Sequence, residues 1–214
     1  MLSRWRPMCV AVLTAMLVVG LGACKREADG KAAKEAAKVA RDAELLKLEY
    51  PKSSGVVPPG MTVSYDGAAD RTSIALKWTA LKVSGGAGMS GGSGGTLYLT
   101  SSHKGRVRGA DKPEGAIDGS FSLQSGGVGA LAFSGAPGRI VVDGAASELK
   151  GPAKGEAYVS GREEMVRFRV PTEALIAAAK GGSVGFEFAK VRVELSEAQV
   201  GELRELVARM KPGG

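Results

Sequence analysis

The sequence predicts a mainly β protein: an antiparallel β-sandwich or barrel-like domain, with an N-terminal helical tether before it and a C-terminal helix at its end. Three observations carry that prediction. From about residue 61 the apolar side chains recur at every second position in a series of short stretches, the period of a half-buried strand. Gly-rich or Pro-containing turns separate these stretches, and no long helical crossover of the kind parallel strands require lies between them. Before residue 51 and after residue 195 the period is helical instead.

The first element lies outside the domain. Arg4 and Arg6 precede the uncharged run 9–23, which is shorter than the roughly 20 apolar residues that a membrane-spanning helix needs. A basic start, a short apolar run and small residues at its end make residues 1–23 a signal peptide. The run closes on Leu21, Gly22, Ala23 and Cys24. These four residues resemble the lipobox of bacterial lipoproteins. The resemblance covers residues 1–25 and implies nothing about the fold beyond them. It implies a diacylglycerol on the Cys24 sulfur, cleavage after Ala23, and acylation, as by palmitate, of the amine so exposed. Enterobacterial lipoproteins with Asp after the cysteine stay in the inner membrane. Lys25 stands there, so the resemblance implies the outer membrane, facing the periplasm, with the membrane as partner through Cys24.

Composition narrows the partners. The chain carries a formal charge of +7, and loss of Arg4 and Arg6 with the signal peptide leaves five of those charges. On an exported chain such a balance suits acidic envelope polymers, anionic headgroups or solubility, and no nucleic acid. Cys9 and Cys24 are the two cysteines. One leaves with the signal peptide and the other is lipidated, so an ordinary apolar core has to hold the mature domain.

Residues 24–50 are rich in Ala, Lys and Glu, with Glu27–Lys31, Lys31–Glu35 and Lys38–Asp42 spaced four apart. Ala32, Ala36, Val39, Ala43, Leu46 and Tyr50 form a thin heptad stripe. It suits either a spacer between lipid and domain or a coiled coil with an envelope protein. Residues 51–60, with Pro51, Pro58, Pro59 and Gly60, read as a linker. The β domain is expected over 61–214. Its strand-like stretches are MTVSYD, SIALKWTALKV, GTLYLT, GRVRG, GAIDGSFSLQ, VGALAFS, GRIVVDG, EAYVSG, EMVRFRV and SVGFEFAKVRVEL. Ile74, Leu76, Trp78, Leu81 and Val83 share the spacing 2, 2, 3, 2 with Val184, Phe186, Phe188, Val191 and Val193. An extra residue flips the face, so bulges are expected near Thr79–Ala80 and Ala189–Lys190. A helix is expected over 171–182. Another, over 196–211, has Ser196 and Gln199 as a capping box and Val200, Leu203, Val207 and Met210 as its apolar face. Arg204 falls on the opposite side. The apolar face either closes the sheet or docks a partner.

Most catalytic chemistry lacks its residues. His103 is the single histidine and lies in the polar stretch TSSHKGRVRG, which reads as an exposed turn. One imidazole without cysteine makes no conventional zinc site. Ser101–Lys104 and Ser147–Lys150 match Ser-x-x-Lys without the companion motifs. Gly127–Ala132 mimics a dinucleotide fingerprint but opens no helix. Asp111, Glu114 and Asp118 lack calcium-loop spacing. Residues 84–95 read as a flexible loop. No catalytic residue, metal or cofactor is expected. The candidate site is a basic face for an anionic ligand, built from Lys104, Arg106 and Arg108 with Arg167 and Arg169, the members of each set two residues apart on strands. The expectation is therefore a lipid-anchored envelope lipoprotein with a non-catalytic binding or structural domain. The alternative is a lipocalin-like carrier with an apolar pocket in place of a core of Trp78, Phe121, Phe133, Phe168, Phe186 and Phe188.

Overall fold

The structure is a computed structural model, described over residues 30–85, 94–105, 115–124, 138–151, 158–160, 163–189 and 191–211. The chain divides into two compact units, Met1–Glu44 and Leu45–Gly214. Helix α1 covers residues 30–46, as its alanines and four-apart charge pairs favour. Val39 and Leu46 on the heptad stripe are 62% and 59% exposed.

The second unit is mainly β and antiparallel, as expected. Its strands are β1 (Met61–Asp66), β2 (Arg71–Leu81), β3 (Val83–Ser84), β4 (Gly95–Lys104), β5 (Ala116–Gln124), β6 (Arg139–Val142), β7 (Ala145–Glu148), β8 (Tyr158–Ser160), β9 (Glu163–Pro171), β10 (Val184–Phe188) and β11 (Val191–Glu194). One sheet has six strands in the order β1-β2-β4-β5-β9-β8, and the other has five in the order β3-β11-β10-β6-β7. The expected stretches GRVRG, apart from Gly105, and VGALAFS lie outside the described residues, as does Phe133.

The two stretches with matching spacing reach it by different routes. In the first, the register of β2 against β4 shifts between Trp78 and Leu81, which is the expected bulge. The flipped chain then leaves the first sheet and pairs, as β3, with β11 of the second. A bulge that turns a strand between sheets makes the corner of a sandwich. In the second, no bulge forms. Phe188 pairs with Val191, so the chain reverses between β10 and β11, and Ala189 lies at φ 53; Lys190 lies outside the described residues. The extra residue that a bulge would have absorbed is used up by reversing the chain. Strand β7, AASE, has no alternation to announce it. It forms because Asp143 (φ 49) and Gly144 (φ 86) make the tight turn that folds it back on β6. Beyond β7, Lys150 bridges to Arg169 of β9, so a second connection joins the sheets.

The inner faces meet through phenylalanines. Phe121 of the first sheet stacks on Phe188 of the second at 5.1 Å, and Phe168 lies 5.0 Å from Phe188 and 6.1 Å from Phe186. Gly119 makes room for this cluster, because a Cβ there would overlap the Phe168 ring. Helix α2 (Thr172–Lys180) packs on β6, β9 and α3, and helix α3 (Glu197–Arg209) packs on α2 and β2. Ser196 and Gln199 form the expected capping box, and Val200, Leu203, Val207 and Met210 are buried. The far side of α3 is not idle, contrary to expectation. Arg204 Nε donates to Ala179 O at 2.8 Å, satisfying a carbonyl in the last turn of α2 that the helix leaves open. Glu205 and Arg209 are buried and paired at 2.8 Å.

The segment read as a linker is tied to this pair. Ser53 Oγ donates to Glu205 Oε1 at 2.6 Å, while Ser54 N and Oγ donate to Oε2 at 2.8 and 2.9 Å. Arg209 donates to Val56 O at 3.3 Å. Just upstream, Leu45 is fully buried, and Leu48 and Tyr50 pack on the core. The compact unit therefore starts earlier than residue 61. Proline and serine gave the segment the look of a linker, but their partners lie about 150 residues downstream, beyond the reach of local pattern.

Candidate functional site

The outward positions of the six-stranded sheet are fixed by strand parity. On β2 the apolar residues Ile74, Leu76 and Trp78 point inward and are buried, so Arg71 and Lys77 point to solvent. On β4 the inward residues are Leu97, Leu99, Ser101 and His103, which leaves Thr96, Tyr98, Thr100, Ser102 and Lys104 outside. On β9, Val166, Phe168 and Val170 are inside, and Arg167 and Arg169 are exposed.

Cross-strand pairing sets these residues in rows. Arg71 faces Lys104, and Asp66 faces Arg71. Thr100 faces Asp118, which faces Arg169, which is bridged to Lys150. Lys77 faces Tyr98, Tyr98 faces Ser120, and Ser120 faces Arg167. Among the described side chains this face carries six cations, Arg71, Lys77, Lys104, Lys150, Arg167 and Arg169, against Asp66 and Asp118. On this face Arg169 Nε pairs with Asp118 at 3.0 Å. Both partners are mostly exposed, so the bond contributes little stability. The outer face of the other sheet is balanced differently: Arg139 and Arg192 stand with Glu148, Glu187 and Glu194, and Arg192 pairs with Glu194 at 3.2 Å and Glu187 at 3.8 Å. The positive charge is thus concentrated on one side of the sandwich.

Of the residues predicted for an anionic ligand, Lys104, Arg167 and Arg169 do share this face. Arg106 and Arg108 lie outside the described residues, as do the lipobox residues Leu21, Gly22 and Ala23 and the lipidation residue Cys24. Sequence reading missed Arg71, Lys77, Tyr98 and Lys150. Parity placed the first three outside, but nothing local showed which strands would be neighbours. Lys150 follows the non-alternating β7 and left no signal.

His103 corrects another expectation. The stretch that reads as a polar turn continues β4, and His103 is buried on its inner face, 7% exposed, directly across from buried Thr72. Ser101, two residues earlier, is buried on the same face. The backbone pairing of β2 carried the strand past its last apolar residue, so the polar side chains were drawn in with it. In Ser101–Lys104 the two residues of the Ser-x-x-Lys match point to opposite faces, because an odd spacing on a strand changes sides.

Among the described residues no group of three His, Cys, Asp or Glu side chains is placed to hold a metal ion, and no helix is long and apolar enough to cross a membrane. No protein-family model, no curated protein and no solved structure matches the chain.

Proposed function

We propose that this protein is a lipid-anchored lipoprotein of the bacterial envelope, held at the outer membrane through Cys24, whose β domain is a non-catalytic binding module for acidic envelope polymer. The observation that carries the reading is the concentration, among the described side chains, of six cations against two carboxylates on the outer face of the six-stranded sheet. A face of one sign raises the local concentration of oppositely charged chains and aligns them before contact. The stacked phenylalanines support a packed module over a carrier, since they occupy the space between the sheets that an apolar ligand would need.

The test is binding of the full chain, in neutral detergent, to polyacrylate as a featureless polyanion. Lys77→Glu combined with Arg167→Glu should weaken binding about tenfold or more, and wild-type binding should fall as salt rises from 50 to 500 mM, as it does when exposed charges carry the attraction (both roughly set). Unchanged binding by the double variant, with an unchanged unfolding midpoint, would remove the cationic face from the reading.

A further inference from the structure

We infer that the cross-strand row Lys77–Tyr98–Ser120–Arg167 is a subsite for an acidic polysaccharide, with the Tyr98 ring against a sugar and the two cations on flanking acid groups. The inference rests on the cationic-face reading and narrows it. Tyr98 is 38% exposed, the one aromatic among the exposed large apolar side chains of the described residues. Apart from Lys77 on β2 its neighbours are small: Ser120 lies across on β5, and Thr96 and Thr100 flank it on β4. A tyrosine with small neighbours offers a rigid surface, apolar in its body and polar at its tip.

The rest of the face says which polyanion fits. Of the outward positions of β4, Thr96, Tyr98 and Ser102 carry hydroxyls that are not buried, and Ser120 and Ser122 continue them on β5, while the Thr100 hydroxyl is buried. A hydroxyl both donates and accepts, which matches the hydroxyls of a sugar chain better than it matches a bare polyanion. Membrane docking calls for apolar side chains that enter the headgroup boundary. No Leu, Ile, Val or Phe occupies an outward position on β2, β4 or β5. The geometry is also extended. Lys77 on β2 and Arg167 on β9 stand three strand spacings apart, about 14–15 Å, with Tyr98 and Ser120 between them. The row therefore suits a chain of linked sugars rather than a single small anion.

The experiment compares polygalacturonate, neutral dextran, polyacrylate and vesicles with and without phosphatidylglycerol, using the full chain. The vesicle arm is read as the difference between the two vesicles, so that anchoring through lipid cancels. Polygalacturonate should bind more tightly than polyacrylate of equal charge. Tyr98→Ala should weaken polygalacturonate binding about tenfold, the loss of an aromatic anchor, and leave polyacrylate binding unchanged. Tyr98→Phe should keep most of the affinity, and unfolding midpoints should match for all three proteins. If Tyr98→Ala weakens neither polymer, or both equally, the subsite is overturned while the cationic face stands. If phosphatidylglycerol captures the protein and polygalacturonate does not, the face serves a membrane and the inference is overturned. If Lys77→Glu with Arg167→Glu leaves polyacrylate binding intact, the cationic-face reading fails, and the subsite with it.

Discussion

Glu205 is a buried acid on a helix whose other buried residues are largely apolar, and it survives there because every oxygen is answered. Burial alone would push its pKa up, since a carboxylate loses its hydration on leaving water. The hydroxyl of Ser53, the amide and hydroxyl of Ser54 and the nearby Arg209 charge outweigh that effect and hold it below the ordinary glutamate value. The sign of the linkage follows. With the folded pKa depressed, the group's contribution is complete above the unfolded value, about 4.3, and is lost as pH falls through the lower folded value. Glu205→Gln should lower the denaturant midpoint clearly at pH 7, because Arg209 would stay buried without its partner. Between pH 5 and 3 wild type should lose stability faster than the variant, so that the two approach each other. Parallel curves across that range would mean the carboxylate contributes no pH-linked stability.

Turns and segments make their own claims. Ala189 holds φ 53 with a side chain, a conformation that costs an L-residue about 1–2 kcal/mol. Ala189→Gly should therefore raise the unfolding midpoint of the protein, and Ala189→Val should lower it. A loss of stability in the glycine variant would show that the hairpin does not impose this angle. The N-terminal segment divides more sharply than its composition suggests. Deleting residues 26–44 removes only residues of the first unit and should leave the midpoint nearly unchanged. Deleting 26–50 also removes buried Leu45 and the partly buried Leu48 and Tyr50. Loss of a buried leucine side chain typically costs about 2–5 kcal/mol, a large share of a domain's stability, so this deletion should lower the midpoint strongly. Equal midpoints for the two deletions would count against packing of the 45–50 segment.

For the proposed place of the protein in its cell the decisive group is the Cys24 thiol. In the proposed lipoprotein it is the acceptor of lipid, and the cationic sheet would then work at the end of an anchored chain. Growth with a tagged fatty acid should label wild type and leave Cys24→Ala unlabelled, with the variant fractionating differently from the membrane. Equal labelling would end the lipoprotein proposal. Anchoring and the cationic face are separable, so this result and polyanion binding by the purified chain bear on different halves of the proposal.

Periodicity was enough for much of this architecture. Strand period, turn residues and the capping box made the antiparallel strands, both predicted helices and the Trp78–Leu81 irregularity legible, because each is decided by side chains within a few residues of one another. The same kind of reasoning failed between Phe188 and Val191, where an odd step suits a bulge and a chain reversal equally and only the strand partner chooses between them. It failed at His103, whose burial comes from pairing with Thr72, 31 residues away in the chain, and at Ser53 and Ser54, whose partner Glu205 lies on the last helix. The candidate site shows the same division. Parity put Arg167 and Arg169 on one face of one strand. Their company with Lys77, Tyr98 and Lys150 depends on strand order and on the Lys150–Arg169 bridge, and order within an antiparallel sheet is settled by which inner faces bury the phenylalanine cluster together, a long-range choice that no local stretch encodes.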